Sequence, residues 1–190
     1  MEPATIIAIT GGIGSGKSYV CRLLERYGIE VYDCDAAAKR LLRSDAELMK
    51  SISALVGPQV YSEGRLQKQV LATFLLANEA NSERLNNLVH PAVARDFLES
   101  GYRWVESAIL FDSGFDLRIH PTWVIGVLAP EEVRLHRVME RDHLTAPQAQ
   151  AWLNKQLPQA EVAHRCHFCI NNDGQQPLAP QIEHILQQIK

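Results

Sequence analysis

The chain has 190 residues, enough for one substantial hydrophobic core and few for two independent ones. Hydrophobic residues make up 46% and charged residues 22%, and 19 basic against 22 acidic side chains leave a net charge of -3. That balance argues against bulk nucleic-acid or membrane binding, which ordinarily needs a basic face, and four cysteines are few for a disulfide-built secreted scaffold.

The opening MEPATIIAITGG has an acidic residue, no basic flank and a short apolar run. It reads as a buried strand over residues 5–10 rather than a leader peptide, and no stretch is long enough to span a bilayer. A cytoplasmic protein is expected, with no membrane, nucleic-acid or obligate protein partner. After the strand come glycines, then Tyr19, Val20, Leu23, Leu24 and Tyr27 at helical spacing, with Gly28 as the C-terminal cap. A second strand over residues 29–32 runs into Asp33-Cys34-Asp35, which opens a helix through Leu42. Strand, glycine loop, helix and strand make a βαβ unit with its right-handed crossover.

Between residues 44 and 100 the pattern predicts helices and no strand. Leu48, Ile52, Leu55 and Val56 mark one helix, closed by Gly57-Pro58. Leu66, Val70, Leu71, Phe74 and Leu75 mark another, Leu85, Leu88 and Val89 a short third, and Pro91 the first turn of a fourth. Helices in excess of a plain crossover suit an acceptor-binding insertion. Strands return over residues 103–111 and 122–128, followed by a helix over 130–141. Thr145 with Gln148 three residues on begins a further helix as a capping box, and Arg141-Asp142-His143 forms a charged hinge before it. A last strand over 167–170, a loop marked by Pro177 and Pro180, and an amphipathic helix through Ile182, Ile185, Leu186 and Ile189 complete the chain.

The motif that carries chemistry is Gly11-Gly12-Ile13-Gly14-Ser15-Gly16-Lys17-Ser18, the full G-x-x-x-x-G-K-[ST] phosphate loop. Its glycines let successive N–H groups turn inward around phosphate oxygens, and the following helix adds free donors and its dipole. Lys17 neutralises the β- and γ-phosphates of a nucleoside triphosphate, and the Ser18 hydroxyl can ligate Mg²⁺. The loop alone does not identify the acceptor.

Asp33 and Asp35 sit where open parallel sheets place their ligands, and phosphoryl transfer needs a carboxylate to orient an acceptor hydroxyl. Either also suits a plain turn or helix cap. Lys39, one turn beyond Asp35, can steady it or meet a substrate phosphate. His90 precedes Pro91 and has a bland account as the residue before a helix. Asp112 follows the expected third strand, an acid placed to act on Mg²⁺. Arg134, Arg137 and Arg141 make either a solvated helix face or, for Arg137 and Arg141, a lid aimed at phosphoryl charge. Cys166-His167-Phe168-Cys169 lacks a second cluster to complete a zinc site, so inert cysteines beside a strand are expected.

An ordered set of segments resembles bacterial dephospho-CoA kinases over nearly the whole length. These are ITGGIGSGKS, YDCD with AAAKRLL, LVHP at 88–91, AILFDSGF at 108–115, RLHRVMERD at 134–142 and INNDG at 170–174. The resemblance implies an α/β fold, a P-loop NTPase with a nucleoside-monophosphate-kinase-like core of about five parallel strands. It implies one kinase unit: core 1–43, 102–135 and 158–190, a helical acceptor-binding insertion 44–101 and a small helical lid 136–157. It implies transfer of the ATP γ-phosphoryl group to the 3′-hydroxyl of dephospho-CoA, with Mg²⁺. By resemblance Asp35 is the base with Asp33 beside it, and Arg141 is the lid arginine near the phosphates. Lys39, His90, Leu110 and Asp112 fall in segments that contact the acceptor. Tyr19 joins the ATP-binding segment where Thr is common, Lys39 stands for Arg, Asp112 for Glu, Ala108 for Pro and His167 for Asp. Two other readings remain: another small-molecule or nucleoside-monophosphate kinase, and a slowly hydrolysing nucleotide switch.

Overall fold

A computed structural model describes residues 5–189 of the chain. Residues 1–4, the start of the stretch expected to lack a basic flank, lie outside that range. In chain order the elements begin β1 (Ile7–Thr10), α1 (Lys17–Glu25), β2 (Val31–Asp33), α2 (Cys34–Ser44) and α3 (Ala46–Val56). After a single tight turn of helix at Pro58–Val60 come β3 (Tyr61–Ser62), β4 (Arg65–Leu66), α4 (Lys68–Ala77) and α5 (Glu79–Ser100). The chain continues through β5 (Trp104–Glu106), α6 (Asp116–Ile119), β6 (Trp123–Leu128) and α7 (Glu131–Asp142). It ends with α8 (Ala146–Leu153), α9 (Gln159–Arg165), β7 (Phe168–Asn171) and α10 (Leu178–Gln188).

Among the described residues five strands make the main sheet, in the order β2-β5-β1-β6-β7. β1 is parallel to both β5 and β6, and β6 is parallel to β7. A central parallel strand is covered on both faces, and every residue of β1 is buried. The core around it joins Val20, Leu23 and Leu24 of α1, Val127 of β6, Ile170 of β7, and Ile182 and Ile185 of α10. The α/β fold with a parallel sheet and helical insertions follows the expectation.

The chain divides into two compact units, Asp33–Gly101 and the remainder. The helical unit opens at Asp33, and within it α2 packs on α3 and α5. Asp33 caps α2 by accepting the Ala36 N–H at 2.9 Å, and Asp45 caps α3 by accepting the Leu48 N–H at 2.9 Å.

Several local expectations need correction. The segment expected to hold no strand contains the β3–β4 hairpin, turned at Glu63 and Gly64, both with positive φ. Two-residue strands are too short to display alternation. The two helices expected on either side of Pro91 are one, α5, with Pro91 inside it. Leu85, Val89, Val93 and Phe97 form one buried stripe across the proline, and Pro91 itself is exposed, so water can satisfy the carbonyl that loses its partner. Pro180 lies within the first turn of α10, not in a loop. β5 ends at Glu106, so residues 108–111 form turns and Asp112 does not follow a strand. The two short helices α6 and α9 were not expected.

Candidate active site

The phosphate loop connects the buried β1 to α1, whose first residue is Lys17. The loop is shaped largely by what grips its carbonyl groups. Arg134 Nε donates to the Ile13 carbonyl at 2.9 Å, and Asn172 Nδ2 donates to the Ser15 carbonyl at 2.8 Å. Arg137 reaches the Gly14 and Ser15 carbonyls at 3.4 and 3.5 Å and the Asn172 carbonyl at 3.1 Å. Holding successive carbonyls on the outside turns the amides to the inside, the arrangement that binds anions. Among the described residues the amides of Gly14, Gly16 and Ser18 donate to no group of the chain. The buried Ser15 hydroxyl also lacks a partner. An oxyanion-lined ligand meets both needs.

Lys17 is nearly buried. Its Nζ lies 3.4 Å from the Gly12 carbonyl and 3.9 Å from the Glu106 carboxylate at the end of β5. Glu106 is the acid that the strand end actually presents. Sequence reading assigned that place to Asp112, because it extended β5 by five residues. Asp112 instead accepts the Leu157 N–H at 3.1 Å. Leu110 is wholly buried, with its carbonyl accepting from Phe115 at 3.0 Å.

The three arginines separate. Arg134 is buried, and burial lowers its pKa from the ordinary guanidinium value, with Glu131 opposing. Arg137 is half-buried against the loop. Arg141 is exposed and pairs with Asp142 at 2.7 Å, a hydrogen bond that raises its pKa. The turn after it places His143 in the left-handed region, and Gln148 caps the next helix by accepting the Thr145 N–H at 2.9 Å. Tyr19 and Ser18 are exposed on the first turn of α1.

Within the helical unit Asp33 spends one carboxylate oxygen on the α2 cap, whereas Asp35 in the first turn is exposed and has no partner among the described residues. Lys39 is exposed on the same helix, and His90 is half-buried on α5. Cys166 and Cys169 are free thiols beside Gly126. Burial pushes the Cys166 thiol up to about 12, with Cys169 adding to the shift, so it stays neutral at physiological pH.

Gln156, Arg134, Asn172 and Glu106 contact the loop or Lys17; sequence reading gave Arg134 only a solvated helix face and assigned the other three no role. They lie far from the loop along the chain, and only the strand-then-acid pattern offered a signal, which sequence reading gave to Asp112 instead of Glu106.

A phosphate loop by itself is common to many kinases, so the extent of likeness decides the family. The dephospho-CoA kinase family model matches residues 5–177, from β1 to beyond β7. The chain is 39% identical over 183 residues to the dephospho-CoA kinase of Bacteroides fragilis strain YCH46, spanning 93% of this chain and 88% of that one. A crystal structure from Thermus thermophilus matches at TM-score 0.78 and 30% identity, over 99% of this chain and 97% of its own. The dephospho-CoA kinase of Campylobacter jejuni, 22% identical, shares the fold at TM-score 0.67 over 97% and 96%. With the gripped phosphate loop and the elements after it through β7 inside the matched span, the chain belongs to the dephospho-CoA kinase family.

Proposed function

We infer that the chain is a dephospho-CoA kinase: it transfers the γ-phosphoryl group of ATP to the 3′-hydroxyl of dephospho-CoA, giving coenzyme A and ADP. The observation that carries this is the likeness through residue 177, which takes in the helical unit and the arginine-bearing α7 as well as the loop.

In this reading the inward amides of the loop receive the triphosphate, and Lys17 leaves Glu106 to neutralise it. The residues present fit Mg²⁺: the Ser18 hydroxyl is exposed at the start of α1, and an ion delivered on the triphosphate needs few protein ligands. Ser18 would hold it, and the ion when bound offsets charge on the β- and γ-phosphates. Asp35 orients the 3′-hydroxyl and takes its proton as the new O–P bond forms and the bond to the ADP oxygen breaks. Its freedom from the helix cap favours it over Asp33, which we place beside the acceptor. Arg137 is committed to loop carbonyls, so Arg141 is the arginine we assign to the transferring phosphoryl group, exchanging Asp142 for it. Lys39, His90 and the helical unit are assigned to the acceptor. We place residues 136–157 as a lid that excludes water, and the enzyme in the cytoplasm. No described helix is long and apolar enough to cross a membrane.

The test is ADP release from Mg-ATP with dephospho-CoA, with nucleoside monophosphates, and with no acceptor. Transfer to dephospho-CoA is expected, and ADP formed only with a nucleoside monophosphate sinks the assignment. Asp35→Ala is expected to retain ATP affinity while transfer falls by about 10²–10⁴-fold. Near-normal transfer would move the base role elsewhere.

A further inference from the structure

Ile13, at the apex of the phosphate loop, is held at both ends of its backbone by side chains more than a hundred residues away. Its carbonyl accepts from Arg134 at 2.9 Å, and its N–H donates to Gln156 Oε1 at 2.6 Å. Arg134 lies on α7, and Gln156 lies just after α8. The two helices thus leave the loop at one grip and return to it at the other.

The chain around Gln156 is itself pinned. The next residue, Leu157, donates its N–H to Asp112 at 3.1 Å. Two residues on, Gln159 accepts the Ala129 N–H at 3.0 Å and donates to the Ala129 carbonyl at 2.5 Å. Residues 156–159 therefore stitch the end of α8 to the loop, to the turns after β5 and to the end of β6. A side chain set on so many fixed points has little freedom to lose when it bonds Ile13, and the bond is correspondingly effective.

The two grips also close the space around the loop glycines. A Cβ on Gly12 would overlap the Arg134 guanidinium and stand 3.2 Å from Gln156 Oε1, and one on Gly14 would stand 2.6 Å from the Arg134 carbonyl. Arg134 and Gln156 form the outer wall that these small residues fit against.

We propose that Gln156 is a positioning residue for nucleotide binding, acting through the Gly12–Ile13 peptide. By taking the Ile13 N–H it fixes the Gly12–Ile13 peptide, whose carbonyl accepts the Ser15 N–H at 3.1 Å, while Arg134 fixes the next peptide through the Ile13 carbonyl. With both peptides held, the Gly14, Gly16 and Ser18 amides are presented to the phosphates in one geometry. Without the acceptor, the Gly12–Ile13 peptide can rotate, and the loop must be ordered by the nucleotide at the nucleotide's expense. The proposal rests on residues 11–18 being the ATP site. It does not depend on which molecule accepts the phosphoryl group.

The experiment measures affinity for a non-hydrolysable Mg-ATP analogue by calorimetry, with no acceptor present, in wild type, Gln156→Met and Gln156→Glu. Methionine keeps the length and most of the volume and removes the acceptor, whereas glutamate keeps an oxygen for the Ile13 N–H. We expect Gln156→Met to weaken binding about 5–20-fold, to abolish hydrogen-exchange protection at the Ile13 amide and to leave the thermal midpoint within about 2 °C. Gln156→Glu is expected to retain that amide protection and to bind more tightly than Gln156→Met. Wild-type affinity in Gln156→Met overturns the proposal, as does loss of affinity in step with a fall in thermal midpoint, which marks a packing role. If Gln156→Met does not fold, the glutamate variant decides: loss of Ile13 protection with the fold intact overturns it. Failure of wild type to phosphorylate dephospho-CoA would overturn the assigned acceptor while leaving these binding measurements to decide the role of Gln156.

Discussion

At Gly16 the backbone takes φ 93°, in the left-handed region, immediately before the helix that carries Lys17 and Ser18. A Cβ at that position would overlap Asn172 Nδ2. Asn172 cannot easily retreat, since its side chain donates to Ser15 at 2.8 Å and its carbonyl accepts Arg137 at 3.1 Å. A methyl group at residue 16 thus strains the backbone and displaces a side chain that holds a loop carbonyl outward. Gly16→Ala is expected to lower affinity for Mg-ATP by about 10–100-fold, from roughly 1–3 kcal/mol of strain at a single left-handed residue. Calorimetric titration reads this directly. An affinity within twofold of wild type would mean that the loop accommodates the methyl and that Asn172 is not a fixed wall.

At the scale of elements, helices were the most legible part of the sequence where their ends carried chemical signals. Asp33 and Thr145 with Gln148 mark two starts, and Gly57 marks an end. Pro91 misled because its local meaning, a first-turn proline, was overridden by a buried stripe that continues across it. β5 misled in the opposite sense: apolar residues 108–111 look like more strand, but Leu110 is buried in a turn instead. Asp45 shows how one residue ties two elements together. One oxygen caps α3 at 2.9 Å, and the other pairs with Arg95 of α5 at 2.8 Å. Because Arg95 is about half exposed, the pair is worth little beside the cap. Asp45→Asn, which keeps a capping oxygen, is expected to cost no more than about 0.5 kcal/mol, and Asp45→Ala about 1–2 kcal/mol. Urea denaturation of the two variants separates the contributions. Equal losses would show that the ion pair, not the cap, sets the effect.

For the molecule as a whole, the parallel sheet was legible because its first βαβ unit is local, and the loop because its eight residues are contiguous. The side chains that meet the loop and Lys17 were not, since strand order brings them together. With β1 between β5 and β6, and β7 beside β6, the chain leaving each strand is delivered to the loop. Glu106 ends β5, Arg134 follows β6 by way of α7, Gln156 precedes the return to β7, and Asn172 follows β7. No spacing in the sequence encodes those meetings. They have a consequence for dynamics: a ligand that orders the loop orders every segment that grips its carbonyls and amides. A Mg-ATP analogue alone is expected to slow hydrogen exchange at residues 11–18 and, in the same titration, around residues 134–137, 156–159 and 172. At 100 times the dissociation constant, the stabilisation available to these segments is about 2.7 kcal/mol, roughly a 100-fold slowing where exchange requires the bound state to open. Residues 33–101, assigned to the acceptor and folded as a separate compact unit, are expected to gain protection only when dephospho-CoA is added. Two results would count against this arrangement. Protection confined to residues 11–18 would show that the gripping side chains do not transmit order. Equal protection of residues 33–101 by the nucleotide alone would show that the helical unit answers to ATP, not to the acceptor.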